Sequence, residues 1–221
     1  MVEVSTSILS VKKEDALGTF YNLEVAKTDY FHIDVMDGKF VEKDTTEIMH
    51  EYCSHIKQIS NLHLDVHLMV EDVKSYIDSF IPYEPNIITF HLEACKEKEE
   101  VLSLIKYIKE NGIKVGISIK PNTKLEEIFE YLPLVHLVLI MTVEPGYGGQ
   151  KLIPETIDKV KAVKDYISEN NLEVDIEADG GINLENKEKL KQEGANIIVA
   201  GSAIINSKDY KEVIEKIKTA E

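Results

Sequence analysis

Short apolar, β-branched segments alternate with amphipathic segments along the chain. The first kind predicts eight strands and the second kind predicts eight helices, in strict alternation. The predicted strands cover residues 2–8, 30–37, 62–70, 86–93, 114–120, 137–143, 173–179 and 197–204. The predicted helices cover residues 14–26, 45–59, 73–83, 98–112, 125–135, 153–171, 184–194 and 208–220. Alternation of this kind predicts an α/β protein with a parallel sheet covered by helices.

The number of repeats distinguishes two parallel-sheet architectures. The 221 residues divide into eight units of about 28 residues each, close to a minimal βα unit. No linker or low-complexity segment interrupts them, which favours closure into one (β/α)₈ TIM barrel domain over residues 1–221. A doubly wound open sheet is the alternative, but no GxGxxG segment follows the first predicted strand. In a barrel, function is expected at the carboxyl ends of the strands and in the loops that follow.

Histidine and aspartate residues occur near the ends of three predicted strands. His32 and Asp34 share one face of the second strand, because alternate residues of a strand point the same way. His67 lies near the end of the third strand, and Asp179 ends the seventh. Two imidazoles and two carboxylates suit a divalent transition metal such as Zn²⁺, Fe²⁺ or Mn²⁺. The alternative is a buried His–Asp hydrogen-bond network without a metal.

The fourth predicted strand carries a further polar pair. His91 and Glu93 also share a strand face, and their spacing leaves open whether they bind a metal or support its ligands. Three methionines, Met36, Met69 and Met141, lie near the strand ends beside these polar residues. They are interpreted either as core filler or as an apolar wall beside a reactive intermediate.

Glycine-rich turns follow the last three predicted strands. The segment 144–150 contains three glycines, the next turn begins with Gly180 and Gly181, and Gly201-Ser202 lies in the eighth predicted strand. Glycine lets the backbone approach a ligand closely, and backbone N–H groups in such turns bind phosphate without cationic side chains. Many barrels bind phosphate after strands seven and eight. We therefore expect phosphate-binding loops after strands six to eight.

Charge and apolar content narrow the range of partners. The chain has 25 Lys and Arg against 40 Asp and Glu, a formal charge of −15, which disfavours nucleic acid as a general partner. No apolar run approaches the ~20 residues that span a bilayer, and the first residues lack the pattern of a signal peptide. Two cysteines, Cys53 and Cys95, are too few for a disulfide framework. We expect a cytoplasmic protein that binds neither nucleic acid nor membrane.

Several motifs together resemble one family. They occur in barrel order and comprise SILS (7–10), FHIDVMDGKFV (31–41), DVHLMV (65–70), ITFHLEA (88–94), GISIKPNT (116–123), VLIMTVEPGYGGQ (138–150), DGGIN (179–183) and VAGSAI (199–204). The chain is similar to ribulose-phosphate 3-epimerase from Ser7 to about Ile204. HIDVMDG and MTVEPGYGGQ are specific to that family.

The resemblance implies an isomerase of the pentose phosphate pathway that interconverts D-ribulose 5-phosphate and D-xylulose 5-phosphate. It implies a homo-oligomer with one divalent ion per subunit, Zn²⁺, Fe²⁺, Mn²⁺ or Co²⁺, bound by His32, Asp34, His67 and Asp179. Asp34 and Asp179 would also exchange the C3 proton on opposite faces of an enediolate. Ser7 and His67 would contact the sugar, and Met36, Met69 and Met141 would pack around the intermediate. Substrate and phosphate would be lined by Gly146, Tyr147, Gly148, Gly149, Gly180, Gly181, Gly201 and Ser202.

The chain departs from the family pattern in two loops. Thr6 precedes Ser7 where the family usually has proline, and Lys39 stands where histidine is common. The other departures are Val11-Lys12 in place of Ala-Asp, and Glu42-Lys43-Asp44 in place of Pro-Asn. All lie after the first two strands and leave the metal and acid–base positions intact.

Three alternative functions stay open. One is epimerisation of a ketohexose phosphate such as allulose 6-phosphate. The second is a barrel of the decarboxylase or hexulose-phosphate synthase type, but the segment from Asp72 to Asp78 is one residue too long for D-x-K-x-x-D and begins a helix. The third is a non-catalytic sugar-phosphate-binding barrel, which the presence of both Asp34 and Asp179 disfavours.

Overall fold

The strands close into a barrel. The computed structural model describes residues 1–219, and in it eight parallel strands pair in sequence order, with β8 returning to β1. They are β1 (Glu3–Ser7), β2 (Tyr30–Met36), β3 (His63–Met69), β4 (Ile87–His91), β5 (Lys114–Ile119), β6 (Leu137–Met141), β7 (Asp175–Asp179) and β8 (Ile197–Ala200). The predicted (β/α)₈ barrel is confirmed, and the open-sheet alternative is wrong.

Helices connect the strands over most of the described chain. They are α1 (Ala16–Val25), α2 (Thr46–Ile59), α3 (Val73–Phe80), α4 (Lys98–Glu110), α5 (Thr156–Glu169), α6 (Lys187–Glu193), α7 (Ser202–Ile205) and α8 (Tyr210–Lys218). The last predicted helix, 208–220, reaches one residue beyond the described part of the chain. No helix within residues 1–219 is both long and apolar enough to cross a bilayer.

Two element predictions are corrected. The predicted helix 125–135 is instead a pair of 3₁₀ turns, Leu125–Glu127 and Leu132–Leu134. Pro133 explains part of this difference, because the residue before a proline is disfavoured in the α conformation. The predicted strand 197–204 ends at Ala200, and its last residues form α7.

The two faces of the strands meet different surroundings. On β2, Phe31, Ile33 and Val35 have no exposed surface and belong to the large apolar cluster that includes the helices. The inner face forms a smaller apolar cluster that includes Tyr30 and Leu137 near the amino ends of their strands. Farther along the strands, the interior becomes polar. Because buried polar groups are costly unless paired, this polar half of the barrel is where a site is expected.

Strand register brings the polar residues together. Asp34 pairs with His67 across β2 and β3, and Met36 pairs with Met69 one layer above. On the far side of the barrel, Met141 pairs with Asp179 across β6 and β7. These pairs therefore lie at the carboxyl end of the barrel, as the strand-end positions predict.

Candidate metal and substrate site

The four predicted ligands converge inside the barrel mouth. His32 Nε2 lies 3.4 Å from Asp34 Oδ1 and 3.9 Å from Asp179 Oδ2. His67 Nδ1 lies 3.4 Å from Asp34 Oδ1 and 3.8 Å from Asp179 Oδ2. One donor atom from each of the four residues falls within 4.8 Å of all the others. The barrel thus gathers side chains from three strands into one cluster.

The cluster fits a divalent metal by its spacing and by its unpaired atoms. Four donors at tetrahedral angles, 2.0–2.1 Å from zinc, would lie about 3.4 Å apart, close to the separations in this cluster. Within residues 1–219, buried His32 Nε2 and His67 Nδ1 have no hydrogen-bond partner. A buried nitrogen without a partner is costly, and a metal would remove that cost. We therefore treat the cluster as a candidate metal site.

Hydrogen bonds from other strands orient His32 and Asp34. Asp65 Oδ2 lies 2.6 Å from His32 Nδ1 and accepts a 2.7 Å hydrogen bond from Ser5 Oγ. This contact places the His32 proton on Nδ1 and leaves Nε2 free as a ligand. Ser7 Oγ donates to Asp34 Oδ2 at 2.7 Å. Both carboxylates are therefore held at fixed positions beneath the cavity.

The carboxyl groups of the cluster have opposite pKa shifts. Burial raises the pKa of Asp34, but the His32 and His67 imidazoles oppose burial and hold it well below its ordinary range. Burial raises the pKa of Asp179 to about 6, and the nearby Asp34 carboxylate adds to the increase. Two acids with separated pKa values are suited to act as a base and an acid in one reaction.

A third carboxyl group lies deeper in the barrel. Glu177 is fully buried, and its pKa lies well above the ordinary value, first because of burial and second because of the charge on Asp65. Sequence reasoning assigned no role to Glu177 or to Asp65. The signal was present, because alternation places Glu177 on the same face of β7 as Asp179.

A cavity of about 370 Å³ opens above the cluster. Its lining contains predicted site residues from every part of the barrel mouth: Ser7, Asp34, Met36, Met69, Met141, Gly146, Tyr147, Gly148, Gly149, Asp179, Gly180, Gly181, Gly201 and Ser202. His32 and His67 are fully buried beneath it. The three methionines are almost completely buried as well, so they form the apolar part of the wall.

The cavity also contains residues that sequence reasoning did not single out. Lys43 is the basic residue of the lining, and Gln150 lies in the loop after β6. Gln150 Nε2 donates hydrogen bonds to the carbonyl oxygens of Glu144 and Tyr147, which holds that loop in a closed turn. Tyr147 in turn donates a 2.6 Å hydrogen bond to Glu42 in the loop after β2. The two loops therefore meet across the mouth.

Gly180 and Gly181 are required by their backbone conformation. Gly180 has φ +124° and Gly181 has φ +66°. A Cβ atom on Gly180 would lie 2.9 Å from the backbone nitrogen of Val143, and one on Gly181 would lie 2.4 Å from that of Leu152. Both glycines allow the turn after β7 to pack against the loop after β6, which forms the floor of the predicted phosphate pocket.

Gly180→Ala is expected to raise the KM for a sugar phosphate at least about tenfold. The backbone of the pocket must move away from Val143, and the strained φ costs more than about 1 kcal/mol. Gly112→Ala is a matched control, because Gly112 also has a positive φ (+73°) but has open space around it and lies outside the cavity. Steady-state kinetics and thermal melts of both variants separate the two effects. Equal KM values for the two variants would contradict the assignment of this turn to the substrate pocket.

These observations define a class: a (β/α)₈ barrel with a candidate metal centre and a glycine-lined cavity at its carboxyl end. The family model described as "Ribulose-phosphate 3 epimerase family" matches residues 3–205. Ribulose-phosphate 3-epimerase of Methanocaldococcus jannaschii is 37% identical over 220 residues, covering 100% of this chain and 91% of its own. The Bacillus subtilis protein of the same name is 37% identical over 219 residues, covering 99% of each chain.

A solved structure with low sequence identity shares the fold. KGPDC from Streptococcus mutans, in complex with D-ribose 5-phosphate, aligns with a TM-score of 0.73 and 10% identity, covering 98% of this chain and 95% of that chain. The chain belongs to the ribulose-phosphate 3-epimerase family. The resemblance stated from the motifs is confirmed, and so is the prediction of an epimerase enzyme.

Proposed function

We propose that the chain interconverts D-ribulose 5-phosphate and D-xylulose 5-phosphate by moving the C3 proton between two carboxylates. The observation that carries this proposal is the placement of Asp34 and Asp179 together at the base of one cavity. Inversion at a carbon beside a carbonyl requires proton removal from one face and proton return to the other. Two carboxyl groups with separated pKa values meet that requirement.

Asp34 and Asp179 exchange roles between the two directions of the reaction. In one direction, the first carboxylate takes the proton from C3 while the second, protonated carboxyl group delivers one to the opposite face. Ser7 holds Asp34 in place through its 2.7 Å hydrogen bond. The methionine wall excludes water from the planar enediolate, so the intermediate is not protonated from solvent.

The metal site is proposed to hold one divalent ion per subunit, Zn²⁺, Fe²⁺, Mn²⁺ or Co²⁺. The ligands would be His32, Asp34, His67 and Asp179, because their donor atoms form the cluster at the cavity floor. When bound, the ion supplies Lewis-acid stabilisation of the negative charge that develops on the ketose oxygens.

The phosphate is proposed to bind the loops after β6, β7 and β8. The glycine turns there present backbone rather than side chains to the cavity, and backbone N–H groups bind phosphate in such turns. Lys43 adds the positive charge of the lining. The similarity to KGPDC, which was solved with D-ribose 5-phosphate, supports a phosphorylated sugar as the substrate class.

Two alternatives are less well supported. The segment with a partial D-x-K-x-x-D pattern lies on α3, where Asp72 caps the helix and Lys74 pairs with Asp78 at 2.7 Å on the exposed surface. It does not reach the cavity, so a decarboxylase or synthase site of that type has no support. A ketohexose phosphate such as allulose 6-phosphate remains the competing substrate.

A coupled assay tests the proposed activity. Purified metal-loaded protein is offered D-ribulose 5-phosphate and, separately, allulose 6-phosphate. We expect kcat/KM to be larger for the pentulose phosphate. A larger value for allulose 6-phosphate would move the assignment to the hexulose enzyme, and no turnover of either would leave only a binding role.

We also propose that the protein is a homo-oligomer that uses α1. Leu17, Tyr21 and Val25 are each at least half exposed and follow one another at four-residue spacing, which places them on one helix face. Tyr21→Glu is expected to shift the protein to a smaller species in sedimentation or light scattering. Leu134→Glu, another exposed apolar position outside this face, is the control. A wild-type monomer would contradict the proposal.

A further inference from the structure

His67 lies between the ligand cluster and a second histidine. Its Nδ1 atom lies 3.4 Å from Asp34 Oδ1, and its Nε2 atom lies 2.9 Å from Nε2 of His91. Both rings are fully buried. A nitrogen that binds a metal must offer a lone pair, so His67 can serve as a ligand through Nδ1 only if its proton is on Nε2.

The contact between the two histidines transmits this requirement to His91. A hydrogen bond between two neutral imidazole nitrogens needs one donor and one acceptor. If His67 donates from Nε2, then His91 must accept at Nε2 and carry its own proton on Nδ1. That atom lies 3.1 Å from Glu93 Oε2. A carboxylate only accepts hydrogen bonds, so Glu93 selects this arrangement of His91.

Glu93 is itself held from the next loop. Its Oε1 atom accepts a 2.7 Å hydrogen bond from the backbone N–H of Lys120 and another from Thr123 Oγ1. These donors fix which oxygen faces the loop and which faces His91. The ring of Phe40 packs 5.0 Å from the ring of His91 and covers this chain of contacts.

We propose that Glu93 and His91 are positioning residues that fix the tautomer of His67, so that its Nδ1 lone pair points into the ligand cluster. The inference rests on the proposed metal site and adds two residues outside the ligand set. It also explains the asymmetry of the two ligand histidines. His32 is oriented through Nδ1 by Asp65, whereas His67 is oriented through Nε2 by His91.

Glu93→Gln is an almost isosteric test. The amide oxygen of glutamine is expected to keep the bonds from Lys120 N–H and Thr123, which turns the amide NH₂ toward His91 Nδ1. His91 must then accept at Nδ1 and carry its proton on Nε2, which reverses the hydrogen bond to His67. The reversal places the His67 proton on Nδ1, where it competes with the metal. We expect Zn²⁺ affinity to fall about 10- to 100-fold.

The matched control is Thr123→Val. It removes a hydrogen bond to the loop side of Glu93 but leaves the carboxylate facing His91, so Zn²⁺ affinity is expected to stay within about threefold of wild type. If Glu93 merely supported the loop, both variants would weaken Zn²⁺ binding similarly. That result would overturn the inference.

Tautomers are measured directly on the metal-free full-length chain by two-bond ¹H–¹⁵N NMR, and Zn²⁺ affinity by competition with a chelating dye. The wild type is expected to show His67 protonated on Nε2 and His91 on Nδ1, with His91 reversed in Glu93→Gln. Wild-type His91 protonated on Nε2, or unchanged tautomers and affinity in Glu93→Gln, would contradict the inference while leaving the metal site standing. Failure of the wild type to bind Zn²⁺ would instead remove the proposed metal site and the inference with it.

Discussion

Asp179→Asn is expected to lower kcat/KM for epimerisation by at least about a thousandfold, within the range that a positioned acid or base contributes. The amide can neither take up nor return the C3 proton. Asp34 still faces the other side of the carbon, so one of the two epimers should exchange its C3 proton with D₂O without inverting. Following both deuterium uptake and product formation by NMR separates the two halves of the reaction.

Asp175→Asn is the matched control for this variant. Asp175 lies on the same strand at the opposite end of the barrel, where it accepts a hydrogen bond from Asn196. It should retain nearly wild-type kcat/KM. Metal content is measured on each variant, because Asp179 is also a proposed ligand. An Asp179→Asn protein that still inverts C3 at near wild-type rate would contradict the two-carboxylate mechanism.

Removing the metal is the second change with a large expected effect. Protein stripped with a chelator should retain less than about 1% of its activity, because the developing oxyanion loses its Lewis-acid stabilisation. Adding back Zn²⁺, Fe²⁺, Mn²⁺ or Co²⁺ one at a time should restore activity and identify the most effective ion.

The same titration has a readout that does not depend on catalysis. A metal at about 100 times its Kd stabilises the folded state by about 2.7 kcal/mol, which corresponds to roughly 5–10 °C in Tm for a chain of this length. His67→Ala should lose this increase. Equal melting temperatures of stripped and metal-saturated wild-type protein would argue against a bound ion at the cluster.

Sequence reasoning located the candidate cluster because strands have a period of two. His32, Asp34, His67 and Asp179 could be assigned to strand faces and strand ends from the chain alone. The contacts behind them depend on register between strands, which the sequence does not state. Asp65 reaches His32 because the two are register partners across β2 and β3.

His91 shows the same limit more clearly. The spacing of His91 and Glu93 indicated a shared face but left their role open. His67 pairs in register with Thr89, so His91 lies one strand-face position farther along β4, and only the tilt of the closed barrel brings the two rings together. The failed helix at 125–135 has a local cause, since proline chemistry overrode an amphipathic pattern.

The central claim is that this chain inverts C3 of a pentulose phosphate by proton exchange, and one measurement tests it most directly. Metal-loaded wild-type protein is incubated with D-ribulose 5-phosphate in D₂O and followed by ¹H NMR. The account predicts D-xylulose 5-phosphate with deuterium at C3, formed at a catalytic rate. Absence of D-xylulose 5-phosphate with each of the four metal ions, or product that retains its C3 proton, would contradict it.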